Sequence, residues 1–298
     1  MQLARKRLIH ISQCRGVTRR IVRKMIKEDS TLRIVYEQSP ELLSSSFSIS
    51  LDHARLFYQD LHNNDFMKHV KKQLKSYHIV TIFDPIYPQL LKSIPDAPLV
   101  FYAIGKLSLL QHNPKISVIG TRNPTTEAMP KMKVVLKSLI NNNFIIVSGM
   151  ARGIDRYAHQ LALQYNGWTI AVLGGGFQHI YPKEHSTLFR QIAQKGLVIS
   201  EYAPYEQPKK YYFPERNRII SGLSFGTLVV EAKKRSGTLI TVNHALDQGR
   251  EVYAMPGSPL KLESRGCHEL IQDGAKLVID ADDILEDWFK WAEWLKTN

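Results

Sequence analysis

At 298 residues with 44% apolar content, the chain is long enough to bury one large core or two ordinary ones without metal or disulfide staples. Its two cysteines, Cys14 and Cys267, exclude a disulfide framework and a four-cysteine zinc site, and they point to a reducing, cytoplasmic setting. No stretch approaches the ~20 apolar residues of a membrane span, the start has no uninterrupted apolar leader segment, and the net charge of +13 favours a polyanionic partner or an anionic surface.

The charge is unevenly spread. Residues 1–75 carry +8 and residues 122–235 carry +9, whereas the last 63 residues carry −5 and would repel the same polyanion. Along residues 1–68 the apolar positions fall at helical spacing, as with Val17, Ile21, Val22, Met25 and Ile26, and predict a small all-α domain. Residues 76–298 read as a second domain. Short β-like pieces at 78–84 and 99–105 open it, and apolar strand candidates follow at 116–120, 144–149, 169–176, 197–200, 226–232, 251–257 and 275–279. Segments of helical length and period separate most of them. Strands apolar on both faces and joined by helices predict an α/β domain, a doubly wound, mostly parallel sheet of Rossmann-like form.

In such sheets ligands bind beyond the carboxyl ends of the strands. Three loops there are rich in glycine and hydroxyl residues: GTRNPT with Gly120, Thr121 and Arg122, SGMARGID with Ser148, Gly149 and Arg152, and GGGFQHIYPKEH with Gly174, Gly175 and Lys183. Glycine admits close backbone approach, hydroxyls donate and the cations supply charge, so the three loops predict one phosphate-binding rim. The cluster Glu215, Arg216, Asn217 and Arg218, just before the buried run GTLVVEA, is expected to place Arg216 and Arg218 on that rim. Tyr211, Tyr212, Phe213 and Phe177 are candidate base-stacking groups, with at least two of the four expected in the core. His179 and His185 read as polar surface groups.

What is missing narrows the chemistry. No P-loop pattern and no GxGxxG appear, which disfavours P-loop ATP hydrolysis and hydride transfer. The Glu-x-Lys of VVEAKK has no carboxylate on a neighbouring strand with which to share a metal. No metal or cofactor is expected.

Taken in order, SVIGTRNPT, IIVSGMARGIDRYAHQLAL, TIAVLGGGFQHIYPKEHSTLF, ISEYAP, the long FPERNRIISGLSFGTLVVEAKKRSGTLITVNHALDQGREVYAMPG and RGCHELIQDGAKLV resemble the bacterial DNA-processing protein A family (DprA, also called Smf). The resemblance implies an extended Rossmann-like domain that binds single-stranded DNA without sequence preference and hands it to the recombinase RecA during natural transformation, with no reaction of its own. It implies DNA contact by Arg122, Lys183, Arg216, Asn217 and Arg218. It also implies a homodimer formed through GCHELIQDGAKLV, including His268, Leu270 and Ile271. Two departures stand out: TTEAMPK follows the first loop where many members have Tyr-Gly, and GCHELI stands where many have Gly-Thr-Asn. LIHISQCRGVTRRIVRKMI is similar to a SAM-like or helix-hairpin-helix module that has lost one hairpin glycine.

Two alternatives remain at this stage. Gly226, Thr227 and Glu231 imitate the Gly-Thr-x-x-Glu signature of Rossmann-like nucleoside monophosphate phosphoribohydrolases, with Glu231 and Arg216 in the working roles. Trp288, Trp291 and Trp294 of the acidic tail are either partner anchors or one face of a packed amphipathic helix.

Overall fold

The computed structural model describes residues 2–297, leaving aside the side chains of 73, 74 and 294–297. Trp294 therefore lies outside the described side chains. Two compact units form, one from Met1–Tyr87 with Pro98–Ala103 and the other from Pro88–Ala97 with Ile104–Asn298.

The first unit holds helices α1 (Gln2–Ile11), α2 (Arg19–Glu28), α3 (Pro40–Phe47), α4 (Leu51–Leu61) and α5 (Asn64–Ser76), and an antiparallel pair of strands, β1 (His78–Thr81) and β2 (Val100–Gly105), the last two residues of β2 counting with the second unit. Thr18, Ser39 and Ser50 start α2, α3 and α4 by accepting the N–H three residues on, which satisfies one orphan donor at each helix end. Leu8, Ile9, Val22, Met25, Leu43 and Phe57 fill the core between them. Gly16 has φ +78°, and a β-carbon there would lie 2.1 Å from the carbonyl oxygen of His53. The surviving glycine of the degenerate hairpin thus lets the α1–α2 turn cross the backbone of α4. Arg15 beside it donates its N–H and its guanidinium to the buried Asp60 carboxylate, which holds that carboxyl below its ordinary range.

In the second unit, after the short α6 (Gln89–Lys92), come β3 (Lys115–Ile119), α7 (Ala128–Asn141), β4 (Ile145–Ser148), α8 (Ile154–Gln164), β5 (Thr169–Leu173), α9 (Ser186–Lys195), β6 (Leu197–Ser200), α10 (Tyr212–Gly222), β7 (Gly226–Val229), α11 (Thr238–Asp247), β8 (Glu251–Ala254), α12 (Leu262–Gln272), β9 (Lys276–Leu277) and α13 (Asp282–Thr297). Strands β6-β5-β4-β3-β7-β8-β9 pair in that order, all parallel. Every residue of β3 to β7 is buried, as an α/β sheet covered on both faces requires. Helix α7 shows how cover is achieved: Met132, Val135, Leu136 and Leu139 make a stripe at helical spacing and enter the core with Val118 and Ile146. Burial of each such side chain contributes about 1.5–3 kcal/mol.

The last helix resolves one alternative. Trp288 and Trp291 of α13 pack on Phe225, at ring separations of 5.4 and 6.2 Å, so the packed-helix reading describes both. In α12, His268 lies against the backbone, its Nε2 within 3.0 Å of the Gly257 oxygen, while Leu270 and Ile271 stay half-buried. Among the described residues no helix is long and apolar enough to cross a membrane.

Candidate nucleic-acid interface

Strand β3 is the point where the sheet order reverses. The chain runs from β3 outward through β4, β5 and β6, then returns to place β7 on the other side of β3. The loops leaving β3 and β7 therefore diverge, and a cleft of about 430 Å³ opens between them, lined by Thr121, Arg122, Asp155, Arg216, Asn217 and Lys233. A smaller recess shares Arg122 and Arg216 with it and adds Arg152, Gly174 and Tyr181. Beyond Tyr181 a third hollow of about 480 Å³ holds His179, Lys183 and Gln207. Shared walls join them into one groove across the carboxyl ends of β3, β4 and β5.

The groove stands on a buried polar frame. Both carboxylate oxygens of Glu231, just past β7, accept from Thr125, one from its N–H at 2.9 Å and one from its hydroxyl at 2.5 Å. Thr121 N–H donates to the Glu231 carbonyl at 2.7 Å, so a single residue sets the first loop. Lys131 stands 3.6 Å from the same carboxylate. Arg216, only 4% exposed, donates to the Gly149 carbonyl at 2.6 Å and to that of Val172, which ties the loop after β4 to strand β5. Burial lowers its pKa to about 10, while the nearby Asp155 opposes the shift. Asp155 in turn accepts from the N–H groups of Gly149 and Ala151, and burial raises its pKa.

The glycines make these contacts possible. A β-carbon on Gly149 would stand 2.6 Å from the Arg216 guanidinium, and one on Gly174 would stand 2.9 Å from the Phe213 ring. At these two positions the approach that glycine permits is by protein groups, a different use from the phosphate approach expected of the loops.

Among the site candidates, Thr121, Arg122, Gly149, Arg152, Gly174, Gly175, Lys183, Arg216 and Asn217 line the groove, and Gly120 sits at the head of the first loop. Ser148 is buried, and its hydroxyl donates to the Val118 carbonyl at 2.7 Å. Arg218 is 5% exposed and turns to the other side of α10, where it meets Glu201 at 2.5 Å and Asp96 at 3.3 Å. It lines no part of the groove. Exposed Arg122 and Lys183 form no ion pair among the described residues, whereas Arg152 holds Glu184 at 2.6 Å.

The aromatic candidates divide. Phe177 and Tyr212 are buried, Tyr212 stacking on Tyr202 at 3.7 Å, while Phe213 lines the groove and Tyr211 is exposed. Tyr181, absent from the sequence candidates, is 54% exposed and lies 5.4 Å from the Phe213 ring. Its signal was its place two residues before Lys183 in a glycine-rich loop. Asp155 also escaped notice, although an acid in the first turn of a helix that follows a glycine loop is a recognisable pattern. One expectation is corrected: His185 is buried, its Nδ1 2.9 Å from the Met150 carbonyl, because the 181–185 turn folds back under the β4 loop.

The family model described as "DNA recombination-mediator protein A" matches residues 78–289. The chain is 46% identical over 220 residues to "DNA processing protein DprA" of Streptococcus pneumoniae, covering 74% of this chain and 77% of that one. The X-ray structure of DNA processing protein A from Streptococcus pneumoniae superposes with a TM-score of 0.85 at 38% identity, over 94% of this chain and 97% of that one. A structure from Helicobacter pylori, described as giving insight into the single-stranded DNA binding mode of DNA processing protein A, matches with a TM-score of 0.64 at 28% identity, over 72% of this chain and 97% of that one. The parallel sheet, the groove at its reversal point and matches of this length lead to one assignment: the chain belongs to the DNA recombination-mediator protein A family.

Proposed function

We propose that this chain binds single-stranded DNA along the groove, without sequence preference, and hands the strand to a RecA-type recombinase during DNA uptake and recombination, working as a cytoplasmic homodimer and catalysing no reaction. The observation that carries the reading is the pairing of exposed cations, which form no ion pair among the described residues, with accessible rings: Arg122 and Lys183 beside Tyr181 and Phe213. Cations track a phosphate backbone, and rings accept any base because every base has a π-face. In this reading Arg216 fixes the groove floor and Asn217 is its polar neighbour, while Arg218 stabilises the helix that presents them. Residues His268, Leu270 and Ile271 of α12 are the proposed dimer contacts.

The phosphoribohydrolase alternative requires Glu231 to act on a substrate. Both of its oxygens are committed to Thr125, the residue is 1% exposed, and its side chain does not line the cleft. That supports a framing role.

Binding of labelled oligo-dT, mixed-sequence single strands and duplex DNA, each titrated with salt, tests the proposal. Single strands of either sequence are expected to bind alike and more tightly than duplex, whose stacked bases cannot reach Tyr181 and Phe213. Neutralising three phosphates through Arg122, Arg152 and Lys183 gives a log-log salt slope of about −2. Duplex binding as tight as single-strand binding, or a slope near zero, would refute it.

A further inference from the structure

Helix α2 breaks the charge rules of an ordinary surface helix. Its ten residues, RRIVRKMIKE, hold Arg19, Arg20, Arg23, Lys24 and Lys27 against the single acid Glu28. Two of the cations stand in the first turn, where the positive end of the helix dipole disfavours them, and no acid accompanies them there. Arg20 with Lys24, four residues apart, and Lys24 with Lys27, three apart, are like-charge pairs, a spacing that sets the charged heads side by side and destabilises the helix. Packing of Val22 and Met25 in the core of the helical unit holds α2 in place against that repulsion.

Arg20, Lys24 and Lys27 are exposed and form no ion pair among the described residues. At positions i, i+4 and i+7 they make one stripe about 10 Å long. None of the apolar residues of α2 is exposed beside them. A protein-binding face draws its energy from buried aromatic and aliphatic anchors, which this stripe lacks. A row of cations that costs local stability and has no apolar anchor fits a linear polyanion, whose phosphates neutralise the repulsion as they bind.

We propose that α2 is a second nucleic-acid site, in which Arg20, Lys24 and Lys27 take successive phosphates of a single strand. This site goes beyond the groove of the sheet unit and does not depend on it. A strand long enough to engage both sites gains affinity through effective concentration, whereas a short one occupies the groove alone.

The test uses the full chain carrying Arg20→Ala, Lys24→Ala and Lys27→Ala together, with anisotropy titrations of long and short labelled oligo-dT across a range of salt. On long strands the triple variant is expected to lose about tenfold in affinity at moderate salt, and its log-log slope becomes less negative by about 2. On short strands it binds as the parent chain does. Its melting temperature is equal or higher, since alanine is a strong helix former and the repulsion is gone. The charge-preserving set Arg20→Lys, Lys24→Arg and Lys27→Arg keeps the parent slope, which separates charge from folding. An unchanged slope and affinity on long strands in the alanine variant would overturn the proposal, and that is also what an α2 serving an acidic protein face would give. The Arg122→Ala/Lys183→Ala variant on short strands reports on the groove alone, so failure of either site is read separately.

Discussion

Replacing Arg122 and Lys183 together with alanine is expected to weaken oligo-dT binding by about a hundredfold or more at moderate salt. Each side chain is exposed and has no ionic partner among the described residues, so each is available for a charge-assisted contact worth about 1.5–3 kcal/mol. Loss of two phosphate contacts also makes the log-log salt slope less negative by about 1.4. Because neither side chain holds another in place, urea unfolding of the double variant should match that of the parent chain. Loss of binding together with loss of stability would mean that the variant reports on folding. Parent-like binding at every salt concentration would remove these two residues from the interface.

Arg216→Ala is expected to act in the opposite way, through the fold. The guanidinium lies in the interior, donates to the carbonyls of Gly149 and Val172, and sits in the field of buried Asp155. Its removal leaves two carbonyls without donors, a void, and a carboxyl with less compensating charge, which together cost about 3–5 kcal/mol. Arg216→Lys keeps the charge but loses the fork and should recover less than half of the stability. Gly149→Ala pushes the same guanidinium from the other side and should cost about 1–3 kcal/mol. Urea unfolding midpoints check all three. If Arg216→Ala kept the parent midpoint while abolishing binding, Arg216 would be a direct ligand and the framing role assigned to it would be wrong.

The contrast between these residues shows where the sequence was readable. Strands β3 to β8 announced themselves as short apolar runs because a parallel sheet covered on both faces needs nothing else of its residues. The three loops were readable because glycine and cations cluster where such strands end. Arg216 and Arg218 were harder to separate as two cations in one run, although helical geometry separates them. Two residues along a helix turn the direction by about 200°, so the two side chains cannot share a face. Phe213, Arg216, Asn217 and Ile220, at i, i+3, i+4 and i+7, are the stripe that α10 turns to the cleft, and Arg218 falls on the far side with Glu201. The role of Gly149 and Gly174 was not legible, since a glycine signals a close approach without naming what approaches. Here an arginine from α10 and the Phe213 ring fill the space, and both arrive from more than thirty residues away in sequence. Tyr212 and Tyr211 were equivalent as letters. Only the packing of Tyr202 on Tyr212 makes one of them core and leaves the other in solvent.

In the proposed binding mode a single strand lies across the carboxyl ends of β3, β4 and β5, with its bases against Tyr181 and Phe213. Photo-cross-linking of the full chain to 5-iodouracil-substituted single strands, followed by peptide mapping, probes these contacts, because the reaction reports which rings touch bases. Adducts are expected at Tyr181 and Phe213, and are lost when Arg122 and Lys183 are both alanine. Adducts confined to the acidic C-terminal residues, or to rings remote from the groove, would contradict it.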